Sequence, residues 1–404
     1  MPEMPGRNDF AAPLWASAFR PFYLLGAAYG PLLMLVWIGA YAGVWPAPVD
    51  DWFFLAWHGH EMLFGFAAAI IGGIVMTALP SWAGTEEITG KPLAVLAGLW
   101  LAGRLAMLAP VPPALAAVVD CALFPAIAGL LLPQLLRVRN RYYLLLLPVL
   151  AALFAANAVF HAGRIIGDVA LTGFGLRLAI HAIVLLYVLK GGVLTPIFTG
   201  NALREKQRGG DIPFIMWLDV LAALSVVALA IADLARLPTL WIGLAALAAC
   251  AIQALRLARW QGWRIADVPL LWVMHLGYAW LVVALGLKAV AELGGRLPEM
   301  IWVHAFTVGS LGMMMLGLMT RVVLRHTGRP MQLPPAIVIA YLMVLVAGLL
   351  RVAVLLFGLE PAYLYASALL WMAPFAIYLA LFGVMLWSPS LPRKPGQFKR
   401  PPLL

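Results

Sequence analysis

The sequence is poor in charged residues and in cysteine. Only 11% of its 404 residues are Asp, Glu, Lys or Arg, against about a quarter in soluble proteins, which excludes a soluble globular fold. Its two cysteines, Cys121 and Cys250, lie inside apolar runs. They provide neither a disulfide framework nor the thiolate spacing of a zinc site. We therefore expect both cysteines to be buried and to pack as small hydrophobic residues.

Apolar residues dominate instead. They make up 64% of the chain, and the mean hydropathy is +0.96. A helix that crosses a bilayer needs roughly 20 mostly apolar residues. Counting such runs predicts an all-α, polytopic membrane protein with about twelve transmembrane helices in one integral-membrane domain, 1–404. The predicted helices cover 22–43, 57–79, 92–109, 114–136, 142–162, 176–198, 213–233, 238–256, 267–289, 301–321, 334–356 and 364–387.

The net charge of +10 reflects basic residues in the connections between predicted helices. If the helices alternate in direction, all the strongly basic segments lie on one side of the membrane. Orientation in the bilayer therefore explains the charge better than a nucleic-acid partner does, and the positive-inside rule predicts that both termini are cytoplasmic. These segments are 137–141, 204–208, 256–264, 321–329 and 393–400.

Histidines recur at nearly equal intervals along the chain. His60, His181 and His304 are 121 and 123 residues apart, and each stands near the start of a predicted helix, the second, sixth and tenth. Internal repeats are common in membrane proteins and often meet at the functional centre. The spacing predicts three pseudo-repeated four-helix units, 20–140, 141–262 and 263–388, between polar tails 1–19 and 389–404.

Five of the seven histidines are predicted to share one level of the bundle, close to its outer face. Neutral imidazole is the commonest metal ligand and suits copper, iron and zinc. Alternatively, each of these histidines hydrogen-bonds to backbone or headgroups only. The pattern favours a haem, a histidine-ligated metal, or both. The five are His58, His60, His161, His181 and His304.

Two further ionisable residues lie inside predicted helices, where a charge is costly and indicates function by default. Glu61 follows His60 directly. It could orient the second nitrogen of a ligating imidazole, carry protons inward, or simply sit at a helix N-terminus. His275, expected near mid-membrane, could ligate a haem iron or hydrogen-bond with Tyr278.

Three arginines are predicted in the outer half of the bundle. Because arginine pairs with carboxylates in a bidentate manner, they are candidates for binding haem propionates. Arg104 has Asp120, and Arg164 has Asp168, as competing structural partners. The three are Arg104, Arg164 and Arg177.

Four motifs together resemble the NnrS family of bacterial inner-membrane proteins. The resemblance covers essentially the whole chain and implies a twelve-helix protein containing haem and copper, linked to denitrification and to resistance against nitric oxide and nitrosative stress. The motifs are Trp57-His-Gly-His-Glu-Met-Leu-Phe-Gly-Phe66, His275-Leu-Gly-Tyr-Ala-Trp280, His304-Ala-Phe-Thr-Val-Gly309 and Arg321-Val-Val-Leu-Arg-His-Thr-Gly-Arg-Pro330.

The arrangement is also similar to that of haem–copper oxidases and related nitric-oxide reductases, which use histidines on helices two, six and ten. This chain lacks their adjacent histidine pair on helix seven, so the analogy concerns architecture more than chemistry.

These observations lead to one functional hypothesis and two alternatives. The hypothesis is an inner-membrane redox protein that binds and reduces nitric oxide, with quinol as electron donor and Glu61 carrying protons. His60 and His304 would be the axial ligands of a b-type haem, and the other three outer histidines would hold copper or non-haem iron. The alternatives are a transporter of metal or haem, and a non-catalytic nitric-oxide sensor or protective factor. The residues leave the oligomeric state open.

Overall fold

The structure, a computed structural model, describes residues 12–210 and 212–392. Twelve helices of the described residues are long and apolar enough to cross a membrane, and these residues form no strand. Each overlaps one predicted helix, so the predicted class and helix count are confirmed. The outer parts of the predicted polar tails, 1–11 and 393–404, lie outside the described residues, as does the basic segment 393–400.

The twelve helices follow one another with short connections. They are α1 Phe19–Tyr41, α2 Asp51–Ala83, α3 Gly90–Leu108, α4 Pro113–Arg137, α5 Arg141–Ile166, α6 Val169–Glu205, α7 Met216–Leu234, α8 Thr239–Ala258, α9 Pro269–Gly294, α10 Met300–His326, α11 Pro335–Phe357 and α12 Pro361–Trp387.

An even number of crossings places the start of α1 and the end of α12 on the same face of the bundle, here called the terminal face. The opposite side is the far face, at which α2, α6 and α10 begin. That the terminal face is cytoplasmic stays a prediction.

Two helices form the centre of the bundle. In the most apolar windows of α2 and α10, 89% and 83% of the residues are buried, against 33–56% in the other ten helices. Packing neighbours recur every four helices: α2 packs on α1, α6 on α5 and α10 on α9, while α4 contacts α5, α8 contacts α9 and α12 contacts α1. The division into three repeat units remains a prediction, although this order of neighbours is compatible with it.

Both central helices contain a π-helical segment of seven residues, Glu61–Ala67 in α2 and Ala305–Leu311 in α10. Each segment begins directly after a histidine, His60 or His304. In a π-helical turn each backbone hydrogen bond joins residues five apart instead of four. The turn therefore changes the direction of the side chains around it. Such turns occur frequently at functional sites.

A glycine within each π-helical segment allows close packing. A Cβ on Gly65 would lie 2.5 Å from Cε1 of Tyr29, and one on Gly309 would lie 2.6 Å from Cδ2 of Trp280. Tyr29 and the indole of Trp280 therefore reach the backbone of the central helices only because no side chain stands there. These contacts fix the lateral position of both π-helical segments.

Gly309→Ala should lower the free energy of unfolding by about 1–3 kcal/mol, because the added methyl group must displace the Trp280 ring in a packed core. Gly98→Ala is the matched control, since a Cβ there meets nothing within 4 Å. That substitution should be neutral or stabilising by up to about 1 kcal/mol. Denaturant titration of the purified variants measures both effects. Equal stability of the two variants would contradict the prediction.

Candidate metal centre

The strongest cluster of candidate ligands lies toward the far face, between α2 and the helices α3, α4 and α5. His60 and Glu61 come from the junction of the α-helical and π-helical parts of α2. Asp120 comes from α4 just before an irregular turn at Ala122. Pro125 explains that turn, since it has no N–H to donate to the carbonyl four residues earlier. The bend lets the end of the first half of α4 lie against α5.

Two imidazoles and a carboxylate meet in this cluster. His60 Nε2 is 3.1 Å and His161 Nε2 is 2.9 Å from Oδ2 of Asp120. Potential ligand atoms of the three residues all lie within 4.8 Å of one another, and none of the three residues is more than 5% exposed. Two histidines and one carboxylate form the ligand set of many non-haem iron(II) sites.

The two imidazole-to-carboxylate separations, 3.1 and 2.9 Å, both run to the same oxygen of Asp120 and are hydrogen-bond distances. A cation bound by all three residues would replace these contacts with metal–ligand bonds of about 2.1 Å.

The hydrogen-bond partners of His60 require an additional proton or metal ion at its ring. Nδ1 is 3.0 Å from Oε1 of Glu61, while Nε2 is 2.8 Å from Oδ1 of Asn157 and close to Asp120. All three neighbours are oxygen acceptors, because the amide Nδ2 of Asn157 donates to Asp120 at 2.8 Å. A neutral imidazole has only one N–H. The second nitrogen therefore needs either a proton or a metal ion.

The charges of the residues around the cluster also favour an added cation. Glu61 and Asp120 are buried carboxylates, and Arg104 is the cation between them, 2.7 Å from Oε2 of Glu61 and hydrogen-bonded to Oδ1 of Asp120. Tyr29 also hydrogen-bonds to Glu61. Two negative charges and one positive charge leave a net charge of −1. Buried charges are stable only when they are compensated. One added proton would make these contacting groups neutral, and a divalent metal ion would bring their net charge to +1.

Two other predicted ligands, His58 and His304, lie in a second cluster with Arg351 of α11. His58 stacks on Trp37 with ring centroids 4.3 Å apart. His304 Nδ1 donates to the carbonyl of Met300 at 2.8 Å, and its Nε2 accepts from Arg351 at 3.1 Å. This tautomer satisfies both nitrogens, and the guanidinium beside it disfavours a cation. The structure gives His60 and His304 different partners despite their equivalent places in α2 and α10.

His181 lies in a third cluster, formed by α6, α7, α9 and α10. Its Nε2 is 2.7 Å from Oδ2 of Asp233, and its ring stacks on Trp302. Lys288, which is fully buried, contacts Oδ1 of Asp233 at 2.7 Å and Oε1 of Glu292 at 3.0 Å. Lys288 is therefore a direct counter-ion of the aspartate beside His181, and it is shared with Glu292. The predicted set of His58, His161 and His181 is thus distributed over three clusters.

His275 lies closer to the terminal face than to mid-membrane. It is six residues from the start of α9, or roughly 9 Å along the helix. Its Nε2 hydrogen-bonds to Thr199 at 2.8 Å rather than to Tyr278. The hydroxyl of Tyr278 instead donates to Gln253. His275 therefore has a structural partner at the end of α6.

The three arginines considered for propionates have different surroundings. Arg104 is held by Glu61 and Asp120, so its expected alternative partner is confirmed. Arg164 lies over the ring of Phe53 at 4.8 Å and 3.2 Å from the sulfur of Met107, and does not pair with Asp168. The carboxylate of Asp168 instead caps the N-terminus of α6 by accepting hydrogen bonds from backbone N–H groups. Arg177 is half-buried on α6.

Sequence reasoning missed several residues of these clusters. Asn157, Asp233, Lys288 and Arg351 were not weighed, and Asp120 was considered only as a partner for Arg104. All five are polar residues within long apolar runs. That signal is the one that singled out Glu61, because a polar side chain at membrane depth needs a partner.

The fold and this centre define a polytopic helical membrane protein with a buried candidate metal site of two histidines and one aspartate. A family model described as NnrS protein matches residues 13–390. The match covers nearly the whole chain, so the chain belongs to the NnrS family. No curated protein matches it.

Proposed function

We propose that this protein is a metal-dependent oxidoreductase of the bacterial inner membrane that binds and reduces nitric oxide, with both termini in the cytoplasm. The observation that carries the proposal is the buried group of His60, Asp120 and His161, whose potential ligand atoms lie within 4.8 Å of one another. Family membership supports the link to nitric oxide. Nitric oxide dissolves in lipid, so a centre at membrane depth can receive it without a polar channel.

The donor set favours non-haem iron over copper(I). Imidazole and carboxylate suit borderline and hard cations, whereas copper(I) prefers sulfur ligands. Haem held between His60 and His304 fits less well, because these residues lie in different clusters and both ring nitrogens of His304 are satisfied by the carbonyl of Met300 and by Arg351. A bound redox metal would supply electrons one at a time to nitric oxide.

Glu61 serves the centre in two ways under this proposal. Its Oε1 accepts a hydrogen bond from Nδ1–H of His60. This hydrogen bond fixes the orientation of the ring and leaves Nε2 of the imidazole without a proton, so that Nε2 is available to a metal. Its Oε2 accepts from Tyr29 and Arg104. Reduction of two molecules of nitric oxide to nitrous oxide and water consumes two electrons and two protons. We propose that Glu61, the residue next to His60, relays these protons to the centre.

Metal analysis of purified variants tests the site. His161→Ala should reduce metal affinity by more than about 100-fold, since removal of a residue that only supports a ligand already costs 10–100-fold. His181→Ala is the matched control, because that imidazole is held by Asp233 away from the triad, and it should retain the metal. Equal metal content in both variants would refute the assignment.

Nitric-oxide consumption tests the activity. An electrode trace with reduced quinol should show consumption by the metal-loaded protein and none by His161→Ala. Metal binding without consumption would favour the sensor or protective role. Flux of metal into proteoliposomes, without stable binding, would favour a transporter.

A further inference from the structure

A groove on the lipid-facing side of the bundle leads to the candidate metal centre. It lies between α4 and α5 and has a volume of about 380 Å³. Four of its ten lining residues are alanines, which leave space between the two helices: Ala117, Ala122, Ala158 and Ala162. The volume falls in the range of small-molecule sites, roughly 300–1,000 Å³.

His161 forms part of the groove wall and also belongs to the candidate metal centre. It is 1% exposed. Its Nε2 contacts Asp120, whereas its Nδ1 has no hydrogen-bond partner among the described residues. A buried polar atom without a partner is costly, and imidazoles at metal sites almost always use the second nitrogen for a hydrogen bond. The unpartnered Nδ1 therefore indicates that a polar group is missing beside it.

We propose that the groove binds the ring of a membrane quinol, with one quinol oxygen hydrogen-bonded to Nδ1 of His161. The ligand must be dissolved in the bilayer, because Val118 and Ile165 on the groove wall are 71% and 49% exposed on the lipid-facing surface. It must also carry a hydrogen-bonding group at one end of an apolar body. An acyl chain lacks that group, whereas a quinol has a hydroxyl donor and the quinone a carbonyl acceptor.

The role of this ligand rests on the proposed function. A quinol that gives up two electrons and two protons becomes a quinone, and two molecules of nitric oxide then become one of nitrous oxide and one of water. Atoms and charge balance without any further oxidant or reductant. In the proposed complex, Nδ1 of His161 contacts the quinol and Nε2 is at the metal centre, so a single imidazole ring would separate donor and acceptor.

Photolabelling with an azidoquinone tests the binding site independently of metal and nitric oxide. The full-length protein in lipid nanodiscs should be labelled on peptides of α4 or α5, and excess unmodified quinone should suppress the label. Ala158→Phe fills the groove and should reduce the labelling about tenfold or more, a change equal to about 1.4 kcal/mol. Ala117→Leu, on the opposite wall, should act in the same direction.

Ala155→Phe is the matched control, because Ala155 is an exposed residue of α5 outside the groove. It should leave the labelling unchanged. Label spread over all lipid-facing helices, or equal labelling of the Ala158 and Ala155 variants, would overturn the site. Labelling in the groove without consumption of nitric oxide would overturn the proposed reaction and leave the site standing. Quinol-driven consumption of nitric oxide, with the label outside the groove, would overturn the site and leave the proposed reaction standing.

Discussion

Arg104→Met is expected to destabilise the protein by about 3–5 kcal/mol, the cost of removing one partner from a buried ion pair. Arg104 is the only cation between Glu61 and Asp120 among the described residues. Without it, the net charge of the buried centre changes from −1 to −2. Denaturant titration of the metal-free protein measures the loss.

Arg164→Met is the control for this substitution. Arg164 is half-buried and contacts the ring of Phe53 and the sulfur of Met107. Its replacement should cost less than about 1 kcal/mol, in the range of exposed or partly exposed charges. The double variant Arg104→Met with Glu61→Gln should recover part of the lost stability, because it restores the charge of −1. Similar stability of the two single variants would show that the centre is not charge-coupled.

Asp120→Asn is expected to abolish metal binding while preserving the shape of the side chain. Asp120 is the one candidate ligand that contacts both imidazoles. The amide has a weaker oxygen donor and removes the negative charge that a cation would neutralise. We expect a loss of more than about 100-fold in affinity, beyond that of changes around a ligand. Equilibrium dialysis against iron(II), followed by metal analysis, measures it.

Asp233→Asn provides the same chemical change in the cluster of His181 and Lys288. It should disturb that cluster and leave the metal affinity of the triad intact. If both variants lost the metal equally, the site would not be the triad. If neither lost it, the metal would be bound outside both clusters.

The contrast between His60 and His304 explains why sequence position alone did not identify the ligands. Both residues precede a π-helical segment at equivalent places in α2 and α10. His60 nevertheless faces oxygen acceptors on both nitrogens, whereas His304 accepts from a guanidinium. The neighbours come from different helices, so the two histidines have opposite electrostatic surroundings although each precedes a π-helical segment.

The groove beside the centre is another feature that could not be expected from the sequence. Alanines at 117, 122, 158 and 162 are unremarkable in apolar helices. They form a groove only because α4 and α5 pack with these positions facing each other. The neighbouring position 155 is also alanine, and it faces outward. The direction of each side chain around its helix decides the difference.

The amino-acid sequence by itself determined the class of protein and the number of helices. Hydropathy is a property of each segment, and the bilayer demands an apolar run from every crossing helix independently of the others. The position of Glu61 as an ionisable residue at membrane depth followed from the same rule. The family resemblance likewise required only local motifs.

Only the tertiary structure decided which polar residues meet. Asp120 contacts His60 and His161 across 60 and 41 residues of sequence, and Asn157 completes the group from α5. Such contacts depend on the rotation and tilt of neighbouring helices, which are fixed by packing and by the bend before Pro125. A one-dimensional pattern does not contain those angles, so the candidate ligand set, its charge balance and the adjacent groove were determined by the packed bundle.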